Sequence, residues 1–310
     1  MPSDETYRDD PTSHTDGISA AAAGTWTLGD RTINRIGFGS MRITANPDRD
    51  VAVRVLRRAV ELGVNHIDTA AFYVSPGGTL GVGTGAKRYA TELIRDALSP
   101  YRDELVIATK VGPGEHADGR FYHASTAADL RAQVEQNLRQ IGRDHLDLVN
   151  LRIIKSAGRD SIAERFGALA DMRSEGLIRH LGLSNVREDH IDEAQAIAPV
   201  VCVQNGYSID VKRADDGLVE ACGARGIAFV PFFAIAGDQR EAGAATDHAE
   251  AVLAIARRHG ATPQQLRLAW TLHRGPHVLA IPGTGDPAHL EENIAAGALR
   301  LSADDMAALG

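Results

Sequence analysis

Leu105-Val106-Ile107-Ala108-Thr109-Lys110 is apolar through its first four positions and ends on a cation. The run is too short for an independent helix and is apolar on both alternating faces, which suits a parallel strand buried on both sides and not a half-exposed antiparallel one. Ala127–Ile141, with helical spacing of its apolar residues, comes next, and Leu146–Leu151 then repeats the strand pattern. One strand, one helix and a second strand of the same kind make the unit that the rest of the chain is measured against.

Upstream, Ile36–Gly39 and His66–Thr69 read as buried strands. Between them Val51–Leu62 carries apolar residues at Val51, Val53, Val55, Leu56, Val60 and Leu62, as a packed helix does, and Gly63 ends it. Lys87–Leu98 reads as the next helix. Downstream the alternation runs through helix Ser161–Glu175, strand His180–Ser184, helix Arg187–Ile197, strand Val200–Gln204, helix Ala214–Gly223 and strand Ile227–Pro231. Helices His248–His259 and Pro263–His273, strand Val278–Ile281 and helix Pro287–Ala296 complete it. Eight strands, each followed by helix, predict an α/β fold of the (β/α)8 TIM-barrel class. A doubly wound open sheet usually carries a glycine-rich phosphate turn after its first strand, and Gly37-Phe38-Gly39-Ser40-Met41 has neither the remaining glycine nor an immediate helix. Trp26-Thr27-Leu28 and Thr32-Ile33 flank Gly29-Asp30, which predicts an N-terminal β-hairpin. Residues 1–24, rich in Asp, Ser, Thr and Ala, are expected to form a flexible tail, leaving 25–310 as a single barrel domain.

A net charge of -8 argues against a chain built to neutralise nucleic-acid phosphates or to lie on anionic lipid, and favours a small-molecule partner. Cys202 and Cys222 have no CxxC spacing and no export signal ahead of them, so both are expected as reduced core residues. No apolar stretch approaches the ~18 residues a membrane span needs, and a cytoplasmic location is expected. Oligomeric state is not legible.

In a barrel of this class the βα-loops converge at the C-terminal ends of the strands, and polar residues stand at those ends: Asp68, Lys110, Arg152, Ser184 with Asn185, Gln204 and Thr284. Asp68 and Tyr73 are five residues apart in His66-Ile67-Asp68-Thr69-Ala70-Ala71-Phe72-Tyr73. A phenol ionises near ~10 in water, so a nearby ammonium that favours its charged form would suit it to proton transfer at neutral pH. Lys110 is the candidate, expected to lower the phenol's pKa, and Asp68 is expected to pair with Lys110 and keep it charged. Taken singly, each of the three reads as readily as a helix cap, a surface ring or a strand-end lysine.

Together they resemble the aldo-keto reductases. The resemblance covers about residues 25–310 and rests on His66-Ile67-Asp68-Thr69-Ala70 with Tyr73, Ala108-Thr109-Lys110-Val111-Gly112, Gly182-Leu183-Ser184-Asn185, Gln204-Asn205-Gly206-Tyr207-Ser208, and Ile281-Pro282-Gly283-Thr284 with Glu292-Asn293. It implies an oxidoreductase that reduces a small carbonyl compound with NADPH, with Tyr73 as the proton donor and Lys110 and Asp68 in the roles above. By the same resemblance Ser184, Asn185 and Gln204 hold the nicotinamide carboxamide, and Phe232, in Pro231-Phe232-Phe233, stacks on that ring. Gly283 to Asn293 surround the pyrophosphate and adenosine, with Thr284 near the ribose phosphate and His289, Glu292 and Asn293 along the same wall.

The chain departs from the family pattern in two places. Where the family carries a histidine ending the fourth strand, Asp147-Leu148-Val149-Asn150-Leu151 is followed by Arg152. Arginine cannot shuttle a proton, yet it hydrogen-bonds a developing alkoxide, and as a fixed cation it favours an anionic or strongly polar aldehyde or ketone, pyridoxal among them. Gly283 and His289 stand where many relatives carry Lys and Arg, so NADPH is the expected cofactor with NADH as the alternative. A competing reading is a cofactor-binding sensor or docking module of the same fold with little turnover. A metal-dependent hydrolase would need ligand-spaced histidines or carboxylates at several strand ends, and His66 and His180 are at strand starts. The glycine-dense segment Ser75–Gly85 reads as a flexible wall of the substrate pocket, with a disordered surface loop as the alternative.

Overall fold

The computed structural model describes residues 17–115, 120–153, 160–211, 215–235 and 247–310. Seven parallel strands form one sheet, in the order Phe38–Gly39, His66–Asp68, Val106–Val111, Leu146–Arg152, Ile178–Ser184, Val200–Gln204 and Ala228–Phe229. The expected eighth strand is reduced to two bridges, and these close the cylinder: Val278 pairs with Phe229 on one side and Ala280 with Ile36 on the other. The result is the (β/α)8 barrel with its N-terminal hairpin.

Local sequence explains the helices between the strands. Ala127–Ile141 starts in a reciprocal cap between Thr126 and Asp129 and stops at Gly142, whose φ of 73° is the left-handed conformation a helix C-terminus favours. Pro263–His273 begins with proline at its first turn, behind a Thr262–Gln265 capping box. Several ends move by one to three residues from the sequence reading: Arg49–Glu61 starts at the Asp48 cap, and Lys87–Leu98 is shortened to Ala90–Leu98 because Arg88–Tyr89 pairs with Val74–Ser75 as a small antiparallel ribbon. A second ribbon, Pro113–Glu115 with Phe121–His123, and the terminal helix Ala303–Leu309 were not expected. The expected start of one helix at Ala214 lies outside the described residues.

The hairpin Thr25–Leu28 and Arg31–Asn34 turns at Gly29, whose φ is 64°, and plugs the bottom of the barrel. Leu28 and Ile33 pack there against the inward side chains Val106, Ala108, Leu148, Cys202, Ala228, Val230 and Leu279. Residues 1–16 of the expected tail lie outside the described residues, but its last part is folded. Ala20–Ala23 form a short 3-10 helix capped by the Ser19 hydroxyl, with Ala20 and Ala23 buried, since alanines lose little side-chain entropy in packing there. Cys202 and Cys222 are buried free thiols. No described helix is long and apolar enough to cross a membrane.

Candidate active site

Strand register brings the polar strand ends to one rim. Asp68 pairs with Ala108, Asn150 with Lys110, Arg152 with Ser184, and Ser184 with Gln204, so Asp68, Lys110, Arg152, Ser184 and Gln204 come together at the C-terminal mouth. Strand alternation turns all of their side chains inward. Close approach of the first and last strands completes the rim: a Cβ on Gly39 would stand 2.5 Å from the Ile281 carbonyl oxygen. Only glycine fits there.

Lys110 Nζ donates to both Asp68 oxygens at 2.7 Å and to the Thr69 carbonyl at 3.0 Å, and it stands 4.8 Å from the centroid of the Tyr73 ring. Lys110 and Asp68 are each 4% exposed. Burial alone disfavours the ammonium, but the Asp68 carboxylate and the phenol hold Lys110 above the ordinary lysine range. Tyr73, braced edge-on by Phe72 at 5.2 Å, corrects the sequence reading. Burial pushes its phenol up, and the charge of Lys110, which pulls the other way, only partly offsets that, so the group lies above its ordinary value and not below it.

Arg152 gives a hydrogen bond to the Ser184 hydroxyl at 3.0 Å and covers the Phe232 ring, with Cζ 4.5 Å from its centroid. The Ser184 hydroxyl in turn donates to the Gln204 backbone carbonyl at 2.9 Å. Gln204 Nε2 donates to Asp68 Oδ1 at 2.7 Å, while its Oε1 is buried with no hydrogen-bond partner among the described residues. Asn185, at a φ of 60°, donates to the Ile153 carbonyl. Two of the three residues expected at the carboxamide thus also brace the catalytic candidates, Ser184 holding Arg152 and Gln204 holding Asp68, a double engagement that sequence does not reveal.

A cavity of about 610 Å³ opens above these groups and is lined by Asp68, Tyr73, Lys110 and Arg152. Phe232, Gly283, Thr284, His289, Glu292 and Asn293 line it too. Ser184, Asn185 and Gln204 stand behind its wall. The volume falls in the range that holds a cofactor or a drug-sized ligand. Of its adenosine-side candidates, Gly283 and Thr284 precede helix Pro287–Ala295, and His289, Glu292 and Asn293 lie along it; Asp286 caps the Ala288 amide and Thr284 accepts from the Asp286 amide. Met41, Arg42, Phe72, Thr79, Phe233 and Gln264 also line the cavity and were not singled out in sequence. Phe233 was within reach, being next to Phe232; its φ of 67° is a strained conformation for an aromatic residue and sets the two rings perpendicular at 5.0 Å. Thr79 brings the glycine-dense segment to the cavity wall, and Arg88 ties that segment down through the Thr84, Ala86 and Thr44 carbonyls. Among the described residues no group of three or more His, Cys, Asp or Glu could hold a metal ion.

Known proteins similar to this chain share its family and fold. Residues 35–310 match the aldo/keto reductase family. The chain is 42% identical to pyridoxine 4-dehydrogenase of Escherichia coli, over 93% of this chain and 98% of that protein. It is 35% identical to an uncharacterised oxidoreductase of Schizosaccharomyces pombe, over 96% and 92% of the two chains. Among solved structures, an aldo-keto reductase of Klebsiella pneumoniae in complex with NADPH superposes with a TM-score of 0.74 at 26% identity, covering 92% of this chain and 93% of that one.

Proposed function

This chain belongs to the aldo/keto reductase family, and from that premise we propose that it reduces a small polar or anionic aldehyde or ketone to the alcohol with NADPH. The observation that carries the reading is the position of Lys110, gripped by both Asp68 oxygens and facing the Tyr73 ring at 4.8 Å. The cofactor supplies a hydride from its nicotinamide ring when bound. Gln204 Oε1, an acceptor left without a partner, suits the carboxamide N–H of that ring, and Phe232 offers it an aromatic face. Thr284, His289, Glu292 and Asn293 would hold the adenosine end.

Tyr73 gives its hydroxyl proton to the carbonyl oxygen as negative charge develops there. Because burial keeps the phenol protonated at neutral pH, it is loaded for reduction. Lys110 then stabilises the phenolate left behind, and Asp68 keeps the ammonium charged and in place. Arg152 adds a fixed positive charge beside the same oxygen. Likeness to a relative named pyridoxine 4-dehydrogenase supports pyridoxal-like aldehydes as first substrates to test.

The test is a panel of aliphatic, aromatic, carboxylated and phosphorylated aldehydes run with NADPH and with NADH. Turnover concentrated on the polar and anionic members with NADPH is the expected result. Tight NADPH binding without carbonyl-dependent oxidation of it would mark a binding module instead.

A further inference from the structure

Thr79 lines the cavity, yet little of the chain holds it there. Among the described residues no backbone hydrogen bond joins residues 76–86 to another part of the chain. Glycine loses more conformational freedom on being fixed than any other residue, so a glycine-dense segment without such bonds needs another tie. Side chains supply it, from two consecutive cations at the segment's end. Lys87 pairs with Glu115 at 2.9 Å, but its side chain is 44% exposed, and an exposed ion pair adds little. Arg88 is the stronger tie.

The ribbon fixes the Arg88 backbone opposite Ser75. From there Nε donates to the Thr44 carbonyl and Nη1 to the Thr84 and Ala86 carbonyls, each at 3.0 Å. One planar fork thus joins the glycine-dense segment to the turn Met41–Thr44, whose Met41 and Arg42 line the same cavity as Thr79. The segment lies close on the guanidinium: a Cβ on Gly83 would stand 3.3 Å from Nη2, 3.2 Å from the Ser75 Cβ and 3.5 Å from the Ala45 carbonyl oxygen. Its other end fixes where Thr79 falls. Gly78 turns back so tightly that a Cβ there would stand 2.3 Å from the Val74 carbonyl oxygen. Thr79 therefore comes down beside Val74, the residue after Tyr73, and so on the phenol's side of the cavity. A cavity of about 610 Å³ has to hold a dinucleotide and a carbonyl compound together, so the position of that wall decides how long the second can be.

We propose that Arg88 is a positioning residue that limits the length of the carbonyl compound accepted, by holding the segment that carries Thr79 against the turn Met41–Thr44. Arg88 does not itself line the cavity and acts through the segment it ties. This rests on the reading that Tyr73 receives the carbonyl.

The experiment compares kcat/KM with NADPH for para-carboxybenzaldehyde and its biphenyl homologue, which keeps the aldehyde and the carboxylate at the two far ends with one more ring between them. The unaltered protein should favour the shorter by about tenfold or more. In Arg88→Met the preference should fall to within about threefold, through a lower KM for the longer aldehyde, while kcat on the shorter and the Kd for NADPH stay within about twofold. Amide hydrogen exchange across residues 79–85 should quicken by about tenfold or more in the same variant. No length preference in the unaltered protein, a preference that survives Arg88→Met, unchanged exchange across the segment, or a fall in turnover of both aldehydes that keeps their ratio would each overturn the proposal. Should Arg88→Met not fold, Gly83→Ala is read in the same way: at a φ of 95° the new Cβ drives the segment off the guanidinium and leaves Arg88 with its Thr44 bond. Refusal of both aldehydes by unaltered protein that binds NADPH would instead sink the carbonyl-reductase reading, and the proposal with it.

Discussion

Lys110 places its Nζ 4.8 Å from the centroid of the Tyr73 ring, under the one phenol among the described residues that lines the cavity. The ammonium arrives on a strand and the phenol on the loop leaving the neighbouring strand, so the pair exists only because His66–Asp68 and Val106–Val111 are hydrogen-bonded side by side. Burial acts on the phenol against Lys110 and, more weakly, Arg152, and burial prevails.

Replacing Lys110 with Met removes the larger of the two cations that oppose burial, Arg152 being the other, so the phenol moves further up. Alcohol oxidation needs the phenolate as base, and its rising limb with pH should shift upward by about one unit or more. Carbonyl reduction should fall by about a hundredfold. The pH profile of kcat for alcohol oxidation checks the first statement; an unmoved limb would mean that Lys110 does not act on Tyr73.

Asp68→Asn leaves a buried ammonium without its partner and deprives Gln204 Nε2 of a charged acceptor. Removing one member of a buried ion pair costs about 3–5 kcal/mol. Denaturant unfolding should show a lower midpoint with an unchanged slope. A midpoint equal to that of the parent protein would show that the pair adds nothing to stability.

His66, packed against Gly37 inside the barrel, is 3% exposed, and burial lowers its pKa to about 4. Unfolded, it titrates near ~6.5. Between those two values the unfolded chain binds the extra proton, so the stability this group contributes is full above ~6.5 and drains away as pH falls toward about 4, by at most ~1.4 kcal/mol per pH unit. In His66→Asn, proton uptake on unfolding at about pH 5 should drop by about one; uptake equal to the parent's would contradict the assignment.

Gly182→Ala tests the packing beneath the site. A Cβ there would overlap Asn150 Oδ1 and stand 2.8 Å from the Cys202 carbonyl oxygen, both inside the barrel. Overpacking of this kind costs about 1–3 kcal/mol, read as a lowered Tm. Wild-type stability would show that the interior yields more readily than its contacts imply.

Much of this was legible beforehand for a physical reason. Parallel strands buried on both faces, such as Val106–Val111, write themselves as continuous apolar runs, and the turn at Gly29-Asp30 marks the hairpin between alternating segments. The ribbons Val74–Ser75 with Arg88–Tyr89 and Pro113–Glu115 with Phe121–His123 are two or three residues per strand and show no alternation long enough to register. At the site, polar strand ends pointed to Asp68, Lys110 and Arg152, and the resemblance to a family joined them with Tyr73, in the loop after Asp68, as a set. The balance of burial against charge at Tyr73, and the hydrogen bonds by which Ser184 and Gln204 serve Arg152 and Asp68, depend on distances that spacing along the chain does not encode.

The most direct measurement is kcat for carbonyl reduction in Tyr73→Phe beside the Kd for NADPH, followed by protein fluorescence. Loss of the phenolic proton should lower kcat by at least about a hundredfold and leave the Kd within about twofold. An undiminished kcat would place the proton donor elsewhere and contradict the account at its centre.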